Sequence, residues 1–206
     1  MSLFKSFLKN EFEHFDRGAL WSPAAAREGV LVFLCWALPA IALALVVDHY
    51  SSYLPQNYLK AAISEGIGPH LWNVIAIAGL SLVGLAFLFP RSRIVTRSAY
   101  QVLINTYAIG GLTFGLLIGQ VPKMLFFDSD QVEILELWLT GTGYLILILQ
   151  ALMLNFSLWY LGNLMIRKDD GNSFIDQVTR LDIRLRIFGF CLFTAQPLLL
   201  FFLIYD

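Results

Sequence analysis

The chain has 206 residues, of which 58% are hydrophobic and only 14% charged, with a formal net charge of −1. Soluble domains carry about 25% charged residues, and a body of this size has too much surface for its volume to hide so many apolar side chains from water. A soluble enzyme and a disordered linker are excluded on that ground, and the near-zero charge excludes a nucleic-acid binder; what remains is an all-α polytopic membrane helical bundle, read as one integral membrane domain over 1–206.

The first seventeen residues place Phe4, Leu8, Phe12 and Phe15 on one helical face and turn Lys5, Lys9 and Glu13 away. That pattern predicts an interfacial helix over 1–17, lying in the headgroup layer. No apolar h-region leads to a small-residue cleavage site there, so no cleavable signal is expected. Ser22-Pro23 then reads as a helix start, with Ser as N-cap and Pro in the first turn.

A bilayer core of roughly 30 Å needs about 20 apolar residues per helix. Five runs meet that length, at 29–47, 71–89, 99–121, 137–166 and 187–205, and none contains Asp, Glu, Lys or Arg. A charge at mid-membrane costs about 2.5–3.5 kcal/mol, so its absence from all five predicts five transmembrane helices. With five crossings, twelve Lys and Arg residues fall on the side of the N-terminus, and only Lys60 and Lys123 fall on the other. Basic residues stay on the cytoplasmic side. The N-terminus is therefore expected in the cytoplasm and the C-terminus outside, in a bacterial inner membrane.

Between the first two spans, Gln56–Glu65 reads as a short helix ahead of the Gly66–Pro69 break. Tyr50, Tyr53, Tyr58, Trp72 and Trp138 fit an outer aromatic belt. Span two holds Gly79 and Gly84, which are not at packing spacing. Span three holds Gly111, Gly115 and Gly119, one every fourth residue. That spacing makes a smooth groove for a close helix neighbour, in this chain or another. Ala40 and Ala44 give span one a milder version.

The intramembrane amides are Asn105, Gln120, Gln150, Asn155 and Gln196. Such side chains usually face the bundle interior. On span four, Tyr144, Ile148, Ala151, Asn155 and Gly162 share a face. The amides are read first as links between helices, and the sharper reading makes Asn105, Gln150 and Asn155 a polar pocket. After span four, Asp169–Asn172 forms a turn, and Asn172 or Ser173 can cap a helix. Phe174, Val178, Leu181, Leu185 and Phe188 then repeat at helical spacing. They predict an amphipathic inner-surface helix that runs on into span five, with Asp176, Arg180, Asp182, Arg184 and Arg186 on its polar face.

Catalytic chemistry finds little footing. His49 and His70 lie at the outer ends of spans one and two, where two haem ligands could meet, but bis-His sites normally sit inside the helices and interface histidines are commoner than ligands. Asp169, Asp170, Asp176 and Asp182 lack the tight spacing that holds Mg²⁺ against a pyrophosphate. Cys35 and Cys191 sit in apolar runs and read as fillers. No HExxH, CxxC, P-loop or GxSxG motif is present. The expectation is a non-catalytic accessory, assembly or scaffold subunit without cofactor or metal, partnered by the lipid bilayer and other membrane protein subunits. A small-molecule or lipid-binding transport component is the alternative, and it needs the amide pocket.

Overall fold

The structure is a computed structural model and describes residues 6–7, 22–49, 67–119, 134–167 and 173–205. All the elements assigned among these residues are helices: α1 Pro23–His49, α2 Ile67–Leu88, α3 Arg93–Gly119, α4 Ile134–Leu164, α5 Phe174–Val178 and α6 Ile183–Tyr205. The expected interfacial helix falls almost wholly outside the described residues. So do the outer-loop helix, the Asp169–Asn172 turn, Gln120 and the three outer tyrosines. Each of the five apolar runs has its central portion in one long helix. By length and composition, Pro23–Val46, Arg93–Gly119 and Gly141–Leu164 are long and apolar enough to cross a membrane, and Asn73–Leu88 is a shorter apolar helix.

Local side-chain bonds set the helix starts. Ser22 carries the expected cap of α1, accepting from the Ala25 N–H at 3.5 Å. Ser92 does the same for α3 through the Val95 N–H, also at 3.5 Å. Ser173 caps α5, and its Oγ accepts from the Asp176 N–H at 3.3 Å. α1 continues through Pro39, which a membrane helix tolerates better than a soluble one.

The structure departs from the single amphipathic helix expected over 174–188. α5 stops at Val178 and α6 begins at Ile183. Two polar side chains make the break. The Thr179 hydroxyl donates to the Asp176 carbonyl at 2.6 Å, and Asp182 Oδ1 accepts from the Arg184 N–H at 2.8 Å. Such local bonds compete with helix continuation. Phe174, Val178, Leu181 and Leu185 stay at least partly covered, whereas Phe188, past the break, is exposed.

The chain groups into two compact units. One comprises Met1–Glu28, Asn73–Thr106 and Leu158–Asp206, and the other Gly29–Trp72 and Tyr107–Ser157. α1, α2, α3 and α4 contribute residues to both. In the first unit, α2 and α3 form a hairpin through the turn at Pro90–Arg91, and α6 runs antiparallel to α2. Gly84 lies against Phe190 and Thr194, and Gly189 against Phe87. Phe87 also stacks on Phe193, with ring centroids 5.6 Å apart. Gly79 and Gly84, which lack packing spacing as a pair, are both used, but on different neighbours. Five residues turn a helix by about 140°, so Gly79 meets Leu103 of α3 while Gly84 meets α6.

In the second unit, α1 packs on α3 along a seam of small residues. α1 buries Gly29, Phe33, Ala37, Ala40 and Ala44. Gly111 lies against Phe33, Gly115 against Ala37 and Ala40, and Gly119 against Ile41 and Ala44. The numbers rise together, so the two helices run parallel. A Cβ on Gly115 would sit 2.8 Å from the Ala40 Cβ and closer still to the Ala37 carbonyl oxygen. That oxygen belongs to the backbone and cannot step aside. α4 runs antiparallel to α3: the Tyr144 hydroxyl donates to the Leu117 carbonyl at 2.6 Å, and Asn155 Nδ2 donates to the Tyr107 carbonyl at 3.1 Å.

Candidate functional site

The glycine seam is occupied from within the chain. Extended back one turn, its four-residue register lands on Tyr107, which is fully buried. Its hydroxyl donates to the Gly29 carbonyl at 2.8 Å and so ties α3 to α1. Tyr107, Phe33 and Phe156 pack together, with centroid distances of 5.5–5.9 Å, and Phe114 joins Phe33 at 5.3 Å. Sequence reasoning missed Tyr107, although the glycine register pointed at it.

Asn155 belongs to this same cluster. It is 3% exposed, and its Nδ2 reaches α3, while its buried Oδ1 has no hydrogen-bond partner among the described residues. The face of α4 expected to turn inward does so: Tyr144, Ile148 and Ala151 are partly covered and Asn155 and Gly162 are buried.

The other two residues of the expected pocket are not gathered with Asn155. Asn105 and Gln150 are exposed. The reason lies in which faces of their helices are taken. In the first unit, α3 gives Leu103 and Val102 to Gly79 of α2, and Leu103 and Ile104 to Gly162 of α4. The opposite face then carries Arg97, Gln101 and Asn105, spaced four apart and all exposed. On α4, Gln150 shares its face with Ile146 and Met153, exposed at 58% and 73%. Helix hydroxyls are satisfied at home: Thr106, Thr113 and Thr194 each donate to the carbonyl four residues back at 2.6–3.0 Å.

A second polar cluster sits at the end of α2. Pro90 stops that helix, and the Ser92 N–H turns to the Phe89 carbonyl at 2.9 Å. The Leu88 carbonyl is thereby deprived of its helical partner. Arg186 supplies one, donating from Nη2 at 2.9 Å. Arg167 Nη2 donates to the Pro90 carbonyl, and its Nε lies 3.6 Å from Asp176 Oδ1. Asp176 also accepts from the Ser173 hydroxyl. Arg186, expected on a solvated face, is therefore turned onto the backbone of α2. Cationic side chains favour the negative end of the helix dipole. In the sequence Arg167 reads only as part of the basic bias.

Among the described residues, no group of three or more His, Cys, Asp or Glu side chains could hold a metal ion. No protein-family model, curated protein or solved structure matches the chain.

Proposed function

We propose that the protein is a multi-pass subunit with five crossings, N-terminus cytoplasmic and C-terminus outside, embedded in a bacterial inner membrane. Its role in this reading is non-catalytic: it assembles with or scaffolds other membrane proteins. The carrying observation is the outward row of Gln101 and Asn105 on α3, with Gln150 on α4 as a second outward amide. A lipid-facing amide with no hydrogen-bond partner costs roughly 4–8 kcal/mol by water-to-hydrocarbon transfer. A neighbouring helix that offers its own amide, hydroxyl or carboxyl group removes most of that cost. The transport alternative needs all three pocket amides to converge, and two of them face outward.

The five crossings draw support from helix directions. In the second unit α1 runs parallel to α3, so the chain between them must return once. In the first unit α2 forms a hairpin with α3, and α6 runs antiparallel to α2. The alternation that five crossings require is met in each unit.

A photo-reactive residue at position 105, activated in native membranes, tests the reading. The expected product is one distinct membrane protein in high yield, lost when Gln101→Leu is added. Adducts with lipid alone would overturn the proposal, as would adducts with a second copy of this chain.

A further inference from the structure

We propose that the arginine pair at the end of α2 binds the phosphate of an anionic lipid headgroup. Arg186 is half-buried, and among the described residues it has no carboxylate within ion-pair distance. Its compensation among the described residues is the Leu88 carbonyl at 2.9 Å, the partial negative charge of a helix end. Arg167 shares one carboxylate, that of Asp176, and keeps 28% of its side chain exposed. The Nε atoms of both arginines are shielded and make no hydrogen bond among the described residues. Each guanidinium carries five N–H donors, and one of its Nη2 donors is spent on a carbonyl.

This arrangement is a prepared anion site. The carbonyls hold the two long side chains in place, so binding an oxyanion loses little further side-chain freedom. The guanidinium fork matches a phosphate edge. The local balance also favours an anion: Arg91 lies in the same turn, Arg93 just after it, and both are exposed. The site lies where the apolar stretch of α2 ends and those of α3 and α6 begin, which is the depth of lipid phosphates. Basic pockets between membrane helices on the cytoplasmic side bind anionic headgroups in this way. Asp176 competes with the phosphate for Arg167.

The test measures lipid affinity of the full chain in a neutral detergent, by native mass spectrometry and thermal shift. The probes are phosphatidylglycerol, phosphatidylcholine and inorganic phosphate at matched phosphate concentration. Phosphatidylglycerol is expected to bind and to raise the melting temperature, and the other two are not. Arg186→Gln should weaken that binding about fivefold, the worth of one basic residue at an anionic surface. Arg186→Gln also removes a cap, so Asp176→Asn provides the second variant. It leaves both arginines on their carbonyls and should tighten binding about fivefold. An unchanged affinity in Asp176→Asn would overturn the proposal. Equal protection by inorganic phosphate would overturn the lipid assignment, and equal binding of phosphatidylcholine would overturn the phosphate-charge assignment.

Discussion

The inner face of α3 and the outer face of α4 use the same residue types to opposite ends. On α3, Gly111, Gly115 and Gly119 bring the backbone of α1 so near that a single added carbon has no room at Gly115. On α4, Gly143, in register with the outward Ile146 and Gln150, has nothing among the described residues within 4 Å of where a Cβ would be. The amides divide likewise, with Asn155 reaching across to α3 and Gln150 reaching out of the chain. A small or polar residue in a membrane helix therefore reports close contact only when its register is shared with a facing helix.

The sharpest way to break this contrast is Gly115→Leu. Its side chain would have to displace the backbone at Ala37, and we expect no folded protein in detergent extracts. Gly115→Ala should fold but lose roughly 1–3 kcal/mol, the usual range for overpacking, read as a lower midpoint in thermal unfolding. A wild-type yield of Gly115→Leu would mean that α1 does not lie on α3.

The next effect is smaller. Tyr107→Phe deletes the hydroxyl that ties α3 to Gly29 and should cost about 1 kcal/mol. Asn155→Leu should cost less, near the ~0.6 kcal/mol typical of membrane hydrogen bonds, because it also removes the unpaired Oδ1. A loss from Asn155→Leu larger than that from Tyr107→Phe would show that Oδ1 has a partner, such as a buried water. At the bottom of the scale, Gly143→Ala should change stability by no more than about 0.5 kcal/mol. If it nonetheless abolishes capture of a photo-cross-linked partner, the open face of α4 is filled in the assembly.

How much of this could be read in advance follows from the range of the forces involved. The helix start at Ser22-Pro23 and the inward face of α4 were legible because capping and 3.6-residue periodicity are local. The glycine groove was legible too, but not its occupant, since spacing does not say which helix fills it. The break between α5 and α6 was hidden because the apolar positions 174, 178, 181 and 185 fit one helix. Only the bonds made by Thr179 and Asp182 end it. The outward turn of Asn105 was hidden for another reason: the faces of α3 near it are claimed by Gly79 and Gly162, from distant parts of the sequence. Arg167 reads in the sequence as bulk charge and Arg186 as part of a solvated polar face, because the carbonyls they reach are more than 75 positions away in sequence.

The parallel pairing of α1 with α3 has a consequence for biogenesis. Ala37 meets its mate only after Gly115 has been synthesised and the chain has returned between them. At roughly 5–20 residues per second, the first helix waits on the order of 4–16 seconds with its alanine face uncovered. During that interval a chaperone of the insertion machinery, or a partner already in the membrane, has its opportunity to hold it.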